Sequence, residues 1–219
     1  MKISTLSTLA IFIIGLPQFL FAQNFLPEER ALILRGDTTQ GMRIIQSTVA
    51  AENEILTRPS SNINTREPLL PLLLKRMYIA MTDTTNPGIG IAAPQVGINR
   101  KVIWVKRYDK ADAPFEYYIN PLINWSSNLM RKGSEGCLSI PDARGDVLRH
   151  YAIAIQYQDS LGRSHEEIIE GFTAVIFQHE IDHLKGILFP QRMREQAQTK
   201  YETVATTTEL FFRELPLRP

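Results

Sequence analysis

Apolar residues recur at helical spacing between residues 66 and 81, and this pattern predicts the first well-defined helix of the chain. The apolar stripe consists of Leu69, Leu72, Leu73, Met77 and Ala80. Thr65 is of a type that caps helices, and Pro68 would fall in the first turn, where proline is tolerated. Pro71 fits this register poorly, which favours a start nearer to Pro71 itself.

Farther along, the spacing changes to the alternation that is typical of strands. Short strands are predicted over residues 101–106 and 117–120. A hairpin is predicted over residues 147–170, with a polar, glycine-containing turn at residues 159–162. The apolar residues that alternate on one face of this hairpin are Ile153, Ile155 and Tyr157.

Helical spacing returns between residues 172 and 185, and Gly186 stands where a glycine commonly ends a helix. A last helix is predicted over residues 191–213 and a short one over residues 28–34, while residues 42–51 are predicted to form a short strand and a loop. Short antiparallel strands with segregated helices indicate an α+β domain. We expect small antiparallel sheets packed around the helix over residues 172–185, with a C-terminal helix.

The first residues are patterned as a signal for export. Lys2 is the only charged residue before Glu28, an apolar run covers residues 6–16, and Ala22 precedes a polar residue. This arrangement predicts a secretory signal that is cleaved after Ala22, and hence a periplasmic or secreted protein. An uncleaved anchor is the alternative, because the segment is near the lower length limit for crossing a bilayer. If the segment is not a working signal, the protein stays in the cytoplasm.

The predicted cleavage divides the chain into a signal peptide (residues 1–22), an N-terminal extension (residues 23–50) and a main domain (residues 51–219). The main domain is long enough for one hydrophobic core. With 24 basic and 23 acidic residues, the formal net charge is +1, so no nucleic-acid partner is expected. We also expect no stable membrane partner after cleavage, and a monomer.

The segment Gln178–His183 contains an H-E-x-x-H pattern. On a helix, His179 and His183 lie one turn apart on one face, where a single metal ion can bind both, and Glu180 lies beside them as a candidate proton carrier. Two surface histidines on an amphipathic helix are the alternative. The apolar residues that precede His179 favour histidines that face inward, and these residues are Phe172, Val175 and Ile176.

The single cysteine, Cys137, cannot form an internal disulfide. A lone thiol in an oxidising compartment must be protected or used, and metal ligation does both. As a third ligand beside His179 and His183, Cys137 would leave one position open for water. This ligand set predicts metal-assisted hydrolysis.

Three motifs together resemble those of the peptide deformylases. That family has the signatures G-x-G-x-A-A-x-Q, E-G-C-L-S and Q-H-E-x-D-H, which are complete here in residues 88–95, 135–139 and 178–183. The resemblance extends from about Glu54 to Arg194. It implies that residues 51–219 form a peptide deformylase-like catalytic domain, which removes the N-formyl group from N-formylmethionyl peptides and releases formate.

The resemblance also implies the role of each site residue. Cys137, His179 and His183 would hold one divalent metal ion, with Fe(II) expected and Zn(II), Co(II) or Ni(II) as alternatives. Glu180 would take a proton from water and return it to the leaving amine. The backbone N–H of Leu138 and the side-chain amide of Gln95 would stabilise the oxygen that gains negative charge.

Further residues are assigned to the substrate by the same resemblance. Ile89 and Gly90 would pair with the bound peptide through their backbones, as one strand pairs with another. Arg144 would lie near the substrate path, with a solvated surface position as the alternative. Ile91 and Phe177 are candidates either for the pocket that takes the methionine side chain or for the core.

Other residues are expected to support the metal ligands from outside. Glu135 and Arg149 would form a buried pair beneath the site, with a solvated surface position as the alternative for Arg149. Asp182 and Gln178 would orient either the metal histidines or the helix that carries them.

Two other functions compete with this interpretation. An exported H-E-x-x-H zinc metallopeptidase would take Glu195 or Glu202 as its third ligand, and loss of metal on mutation of Cys137 would argue against it. A non-enzymatic binding module that has kept the fold is the second alternative. Since an exported deformylase does not meet nascent chains, its substrates would be released N-formylmethionyl peptides or related N-formyl amines.

Overall fold

The computed structural model describes residues 23–205 and 210–213. The predicted signal peptide lies outside these residues. Within the part of the chain that is described, no helix is long and apolar enough to cross a membrane.

Two antiparallel sheets and five helices make up the described fold, which confirms the α+β prediction. The first sheet has the strand order β1-β2-β3-β6-β7. Its strands are β1 (Gly90–Ala92), β2 (Val102–Lys106), β3 (Phe115–Ser126), β6 (Ala152–Gln158) and β7 (Ser164–Glu170). The second sheet has the order β5-β4-β9-β8. Its strands are β4 (Leu129–Cys137), β5 (Ile140–His150), β8 (Tyr201–Ala205) and β9 (Leu210–Arg213).

The helices are α1 (Pro27–Leu34), α2 (Ala50–Leu56), α3 (Leu70–Met81), α4 (Gly171–Leu184) and α5 (Phe189–Gln196). Helix α4 is the predicted central helix, and it packs against both sheets. Its apolar side chains share one core with the first sheet, in which Phe177, Ile153 and Ile155 are fully buried. As predicted, Gly186 follows this helix with a left-handed φ of 72°.

Helix α3 begins later than the 66–81 pattern predicts. Its first residue is Leu70, so Pro71 lies in the first turn, where its missing N–H costs no hydrogen bond. Thr65 therefore does not cap this helix. The preceding turn is instead held by Glu67, whose carboxylate accepts hydrogen bonds from the backbone N–H groups of Phe25 and Leu69.

The predicted helix over residues 191–213 is wrong in extent, because α5 ends at Gln196 and the chain then forms β8 and β9. Strand β9 pairs with β4 from Leu129↔Phe212 to Arg131↔Leu210. β-Branched and aromatic residues dominate this tail, and these side chains favour strands over helices. The strand predicted within residues 42–51 is also wrong, since no regular strand forms there and α2 begins at Ala50.

The N-terminal part of the described chain is fastened to the body by buried ion pairs. Glu29 of α1 accepts three hydrogen bonds of 2.7–3.0 Å from the Arg100 guanidinium, and both residues are buried. Arg76 of α3 donates to the carbonyl oxygens of Ile33 and Arg35 at the end of α1, at 2.7 and 3.0 Å. Helix α1 therefore packs as an integral part of the fold.

Candidate metal centre and active site

The structure brings the three predicted metal ligands together. The ligand atoms of Cys137, His179 and His183 all lie within 4.8 Å of one another. The Cys137 Sγ is 3.3 Å from Nε2 of His183, and the two imidazole rings meet edge to face with centroids 5.1 Å apart. A single ion can contact three atoms so placed.

Local structure explains how ligands 42 residues apart in sequence meet. His179 and His183 are one turn apart on α4, as their spacing predicts. Cys137 is the last residue of β4, where the β4–β5 register shifts between Gly136 and Cys137. Such irregularities re-aim side chains and are common beside active sites. The tight β4–β5 connection thereby presents Cys137 to the helix.

Glu135 fixes the ring of His179. One of its oxygens lies 2.9 Å from Nδ1 of His179, and Arg149 binds the same carboxylate through Nε and Nη2 at 2.7 and 2.9 Å. Burial raises the pKa of Glu135, but the Arg149 and His179 contacts outweigh it and lower the pKa to about 2. An ionised Glu135 accepts a hydrogen bond from Nδ1–H of His179, which leaves Nε2 free to bind a metal ion.

The electrostatics also favour the metal-binding form of Cys137. Burial raises the pKa of its thiol, but the electrostatic and hydrogen-bonding contacts with His183 and His179 outweigh that effect and lower the pKa to about 5. The thiolate is the form that ligates metals. One sulfur and two imidazole nitrogens, held this closely and largely shielded from water, fit a divalent transition-metal ion such as iron or zinc.

Glu180 is placed beside this centre in an environment that suits proton transfer. It is only 4% exposed, and its Oε2 has no hydrogen-bond partner among the described residues. Burial raises its pKa to about 7, against the opposing effect of His179 and His183. Gly90 of β1 lies against its carboxylate so closely that a Cβ there would overlap Oε1. The glycine therefore makes room for the Glu180 side chain.

Gln95 points its amide nitrogen toward the ligand cysteine. Its Oε1 accepts a hydrogen bond from the Ala92 N–H at 2.8 Å, which orients the side chain. Its Nε2 lies 3.5 Å from Cys137 Sγ and 3.4 Å from Ser139 Oγ. The donor predicted to stabilise an oxyanion is thus beside the metal ligands.

Leu138 directly follows Cys137, and a segment near the N-terminus braces it. Gln46 Nε2 donates to the Leu138 carbonyl at 3.1 Å, and the N–H of Ser47 donates to the Ser139 carbonyl at 2.8 Å. In the same segment, the N–H of Ile45 donates to the Gln95 carbonyl at 2.9 Å. These contacts were not predicted, because hydrogen bonds to backbone carbonyl oxygens leave no pattern in the sequence.

The residues assigned to substrate lie on or beside the edge strands of the two sheets. β1 is the edge strand of its sheet, paired with β2 on one side, and Ile89 just before it is 37% exposed. An extended peptide can pair with the free side of such a strand. Arg144 lies exposed on β5, opposite Gly136 of β4. Ile91 and Phe177, the two candidates for the pocket that takes the methionine side chain, have no exposed surface.

Of the supporting residues, Glu135 and Arg149 form the predicted buried pair. Gln178 fixes the helix: its side chain binds the backbone N–H and carbonyl of His150 at 2.9 and 2.8 Å. Asp182 binds Arg149 and, through 2.9 and 2.7 Å contacts, Arg192 of α5. The contacts from Glu135 to His179 and from Asp182 to Arg192 were missed by the sequence analysis.

The sequence of this chain is similar to those of known proteins. Residues 45–199 match the family described as polypeptide deformylase. The chain is 38% identical over 142 residues to a peptide deformylase of Synechocystis sp., a match covering 64% of this chain and 75% of the relative. It is also 38% identical over 155 residues to peptide deformylase 2 of Ralstonia nicotianae, covering 68% of this chain and 83% of the relative.

Solved structures give the same similarity. A class I type b peptide deformylase from Acinetobacter baumannii, bound to Met-Ala-Ser, superposes with a TM-score of 0.62 at 34% identity, covering 70% of this chain and 99% of that one. A peptide deformylase from Synechococcus elongatus in complex with actinonin superposes with a TM-score of 0.61 at 32% identity, covering 69% and 79%.

Proposed function

Because this chain belongs to the peptide deformylase family, we propose a specific role for each of its site residues in the family reaction. The protein is a hydrolase that removes the N-formyl group from formylated peptides and releases formate, a reaction that the family carries out in protein biosynthesis. In our proposal, Cys137, His179 and His183 hold one divalent metal ion. The observation that carries the proposal is the convergence of their ligand atoms within 4.8 Å, beside the buried Glu180.

Glu180 serves as the proton carrier. Cys137, His179 and His183 would hold a divalent cation, which would lower the pKa of water and polarise a carbonyl oxygen. Glu180 accepts a proton from the attacking water and delivers it to the leaving nitrogen of the peptide. Burial raises the pKa of this carboxyl above its ordinary value, which favours the acceptance of a proton.

Gln95 and Leu138 stabilise the charge that develops on the formyl oxygen. The Gln95 amide is aimed by the Ala92 N–H, and the backbone at Leu138 is held through its carbonyl by Gln46. Donors fixed before the reaction need no reorganisation when the oxygen becomes negative, which is why they stabilise the transition state efficiently.

The substrate lies along β1 in this proposal. The free edge at Ile89 and Gly90 pairs with the peptide backbone, and Arg144 faces the path of the chain beyond it. Main-chain pairing of this kind recognises peptides with little regard to sequence. The missing Cβ at Gly90 keeps Glu180 within reach of the formyl group.

The first test is formate release from formyl-Met-Ala-Ser by protein that was purified anaerobically with Fe(II). We expect formate in stoichiometric yield from the formylated peptide, and no acetate or free N-terminal amine from the acetylated peptide, which is the matched control. Absence of formate, with one metal ion bound per chain, would contradict the assignment of substrate and leave the metal ligands in place.

Fe(II) is the proposed native metal, with Zn(II), Co(II) and Ni(II) as ions that the same ligands accept. The metallopeptidase alternative is not favoured, since a peptidase of that type does not require Cys137 or Gln95. A Cys137→Ala variant separates the two: loss of the bound metal agrees with our ligand set, and retention of the metal would support a ligand elsewhere.

We further propose that residues 1–22 direct export and that the substrates are released N-formylmethionyl peptides. The basic start, the apolar run and Ala22 support this proposal. We expect fractionation of the source cells to yield a protein outside the cytoplasm whose N-terminus is Gln23. Recovery from the cytoplasm with Met1 intact would contradict it, and the same protein with residues 2–22 deleted provides the cytoplasmic control.

A further inference from the structure

We propose that Arg192 of α5 is a positioning residue for the candidate metal ligand His179. Arg192 does not touch His179, and acts through a chain of three buried charged side chains, which are Asp182, Arg149 and Glu135. The inference rests on the proposed metal site. It assigns a functional contact to a helix that lies outside the three sequence motifs.

The chain of contacts is continuous from the surface to the imidazole. Arg192 binds both oxygens of Asp182, through Nε at 2.9 Å and Nη2 at 2.7 Å. Asp182 binds Nη1 of Arg149, and Arg149 binds both oxygens of Glu135. Glu135 ends the chain at Nδ1 of His179, 2.9 Å away. Two of the three links between charged groups are bidentate, which fixes orientation as well as distance.

The charges alternate along this chain, and Arg192 is its outermost guanidinium, which also binds Glu195 of α5 at 2.8 Å. Without Arg192, two buried carboxylates, Asp182 and Glu135, would share the single guanidinium of Arg149. The side chains of these three are only 5–6% exposed, so water does not replace a missing partner, whereas Arg192 is 27% exposed. Arg149 would then be drawn toward Asp182, and Glu135 would hold the His179 ring less firmly in place.

The docking of α5 on the body does not depend on Arg192 alone. The Gln196 side chain binds both the N–H and the carbonyl of Leu148 on β5, at 2.9 and 2.7 Å. Phe189, at the start of α5, stacks on the His179 ring with centroids 6.4 Å apart. Removing Gln196 therefore disturbs the docking of α5 without touching the charged chain, which separates the two roles by experiment.

The test measures Co(II) affinity by competition with a chromophoric chelator, so that no substrate or turnover is involved. Partners outside the ligand shell typically change metal affinity 10- to 100-fold. We expect Arg192→Ala to weaken Co(II) binding at least about tenfold and to shift the visible absorption of the bound Co(II). Arg192→Lys keeps the positive charge but loses the bidentate contact with Asp182. Its Co(II) affinity should therefore lie between those of the unmodified protein and of Arg192→Ala.

Two variants on the same helix serve as controls. Arg194 is exposed and has no hydrogen bond or ion pair among the described residues, so Arg194→Ala should leave Co(II) affinity unchanged. Gln196→Ala should also change the Co(II) affinity by less than about twofold. In an Asp182→Asn background, Arg192→Ala should add little, because the link through which it acts is already broken.

Each result decides between the alternatives. Equal affinities of the Arg192→Ala and Arg194→Ala variants would overturn the inference. Equal losses in the Arg192→Ala and Gln196→Ala variants would also overturn it, because they would show a general effect of α5 docking. If Arg192→Ala does not fold, the same comparison is made with Arg192→Lys. Failure of the unmodified protein to bind Co(II) would instead refute the proposed metal site itself.

Discussion

Replacing Glu180 with glutamine is expected to lower kcat for formate release by about two to four orders of magnitude, the usual contribution of a positioned acid–base group. Glutamine has nearly the same shape, so the packing of the side chain against Gly90 is kept. It cannot accept the proton of the attacking water or return it to the leaving amine. Steady-state formate release, with the metal content measured on the same sample, checks the prediction.

The controls for Glu180 separate proton transfer from damage to the site. The Glu180→Gln variant should retain one metal ion per chain and a wild-type KM, because substrate binding is assigned to β1. Glu180→Asp keeps a carboxylate but shortens its reach, and should retain more activity than Glu180→Gln. A Glu180→Gln variant with wild-type kcat would assign proton transfer to another group.

Replacing Glu29 with glutamine is expected to lower the free energy of unfolding by about 3 kcal/mol. Removing one partner of a buried ion pair typically costs about 3–5 kcal/mol, because it leaves the other charge uncompensated. The Arg100 side chain is only 2% exposed, so it cannot turn to water. We place the loss at the lower end because the glutamine oxygen can still accept a hydrogen bond. Urea unfolding followed by circular dichroism measures it.

Neighbouring residues on α1 provide the control for Glu29. Glu28 is exposed, and Glu28→Gln should change the free energy of unfolding by less than about 0.5 kcal/mol. Replacing Glu29 and Arg100 together with methionine should recover part of the loss, since no charge then remains buried. Equal stability of the Glu29→Gln and Glu28→Gln variants would show that α1 does not contribute to cooperative unfolding.

The parts of the fold that the sequence predicts best are those in which side-chain spacing alone sets the structure. The helix that carries His179 and His183, the β6–β7 hairpin and the glycine that ends α4 all follow from local periodicity. The hairpin was predicted to begin at residue 147, but residues 147–150 belong to β5 of the other sheet. The three proposed metal ligands follow from residue chemistry as well, since two histidines and one cysteine have few other uses in such motifs.

The parts that were missed depend on contacts between segments that are distant in sequence. Strand β4 shows no clear alternation, because glycines and charged residues occupy much of it, and it exists through pairing with β5 and β9. The C-terminal strands likewise need β4 as a partner. The contact of Glu135 with His179 joins residues 44 positions apart, and no pattern within either segment predicts it.

The separation of the three ligands along the chain also has a consequence for assembly. Cys137 and the two histidines belong to different elements, one at the end of β4 and the others on α4. An unfolded chain does not hold them together, so a metal ion that binds all three selects the native state, and its binding energy becomes folding energy. Metal loading therefore follows or accompanies folding. At saturation, each tenfold increase in free metal concentration should add about 1.4 kcal/mol to the stability of the loaded enzyme.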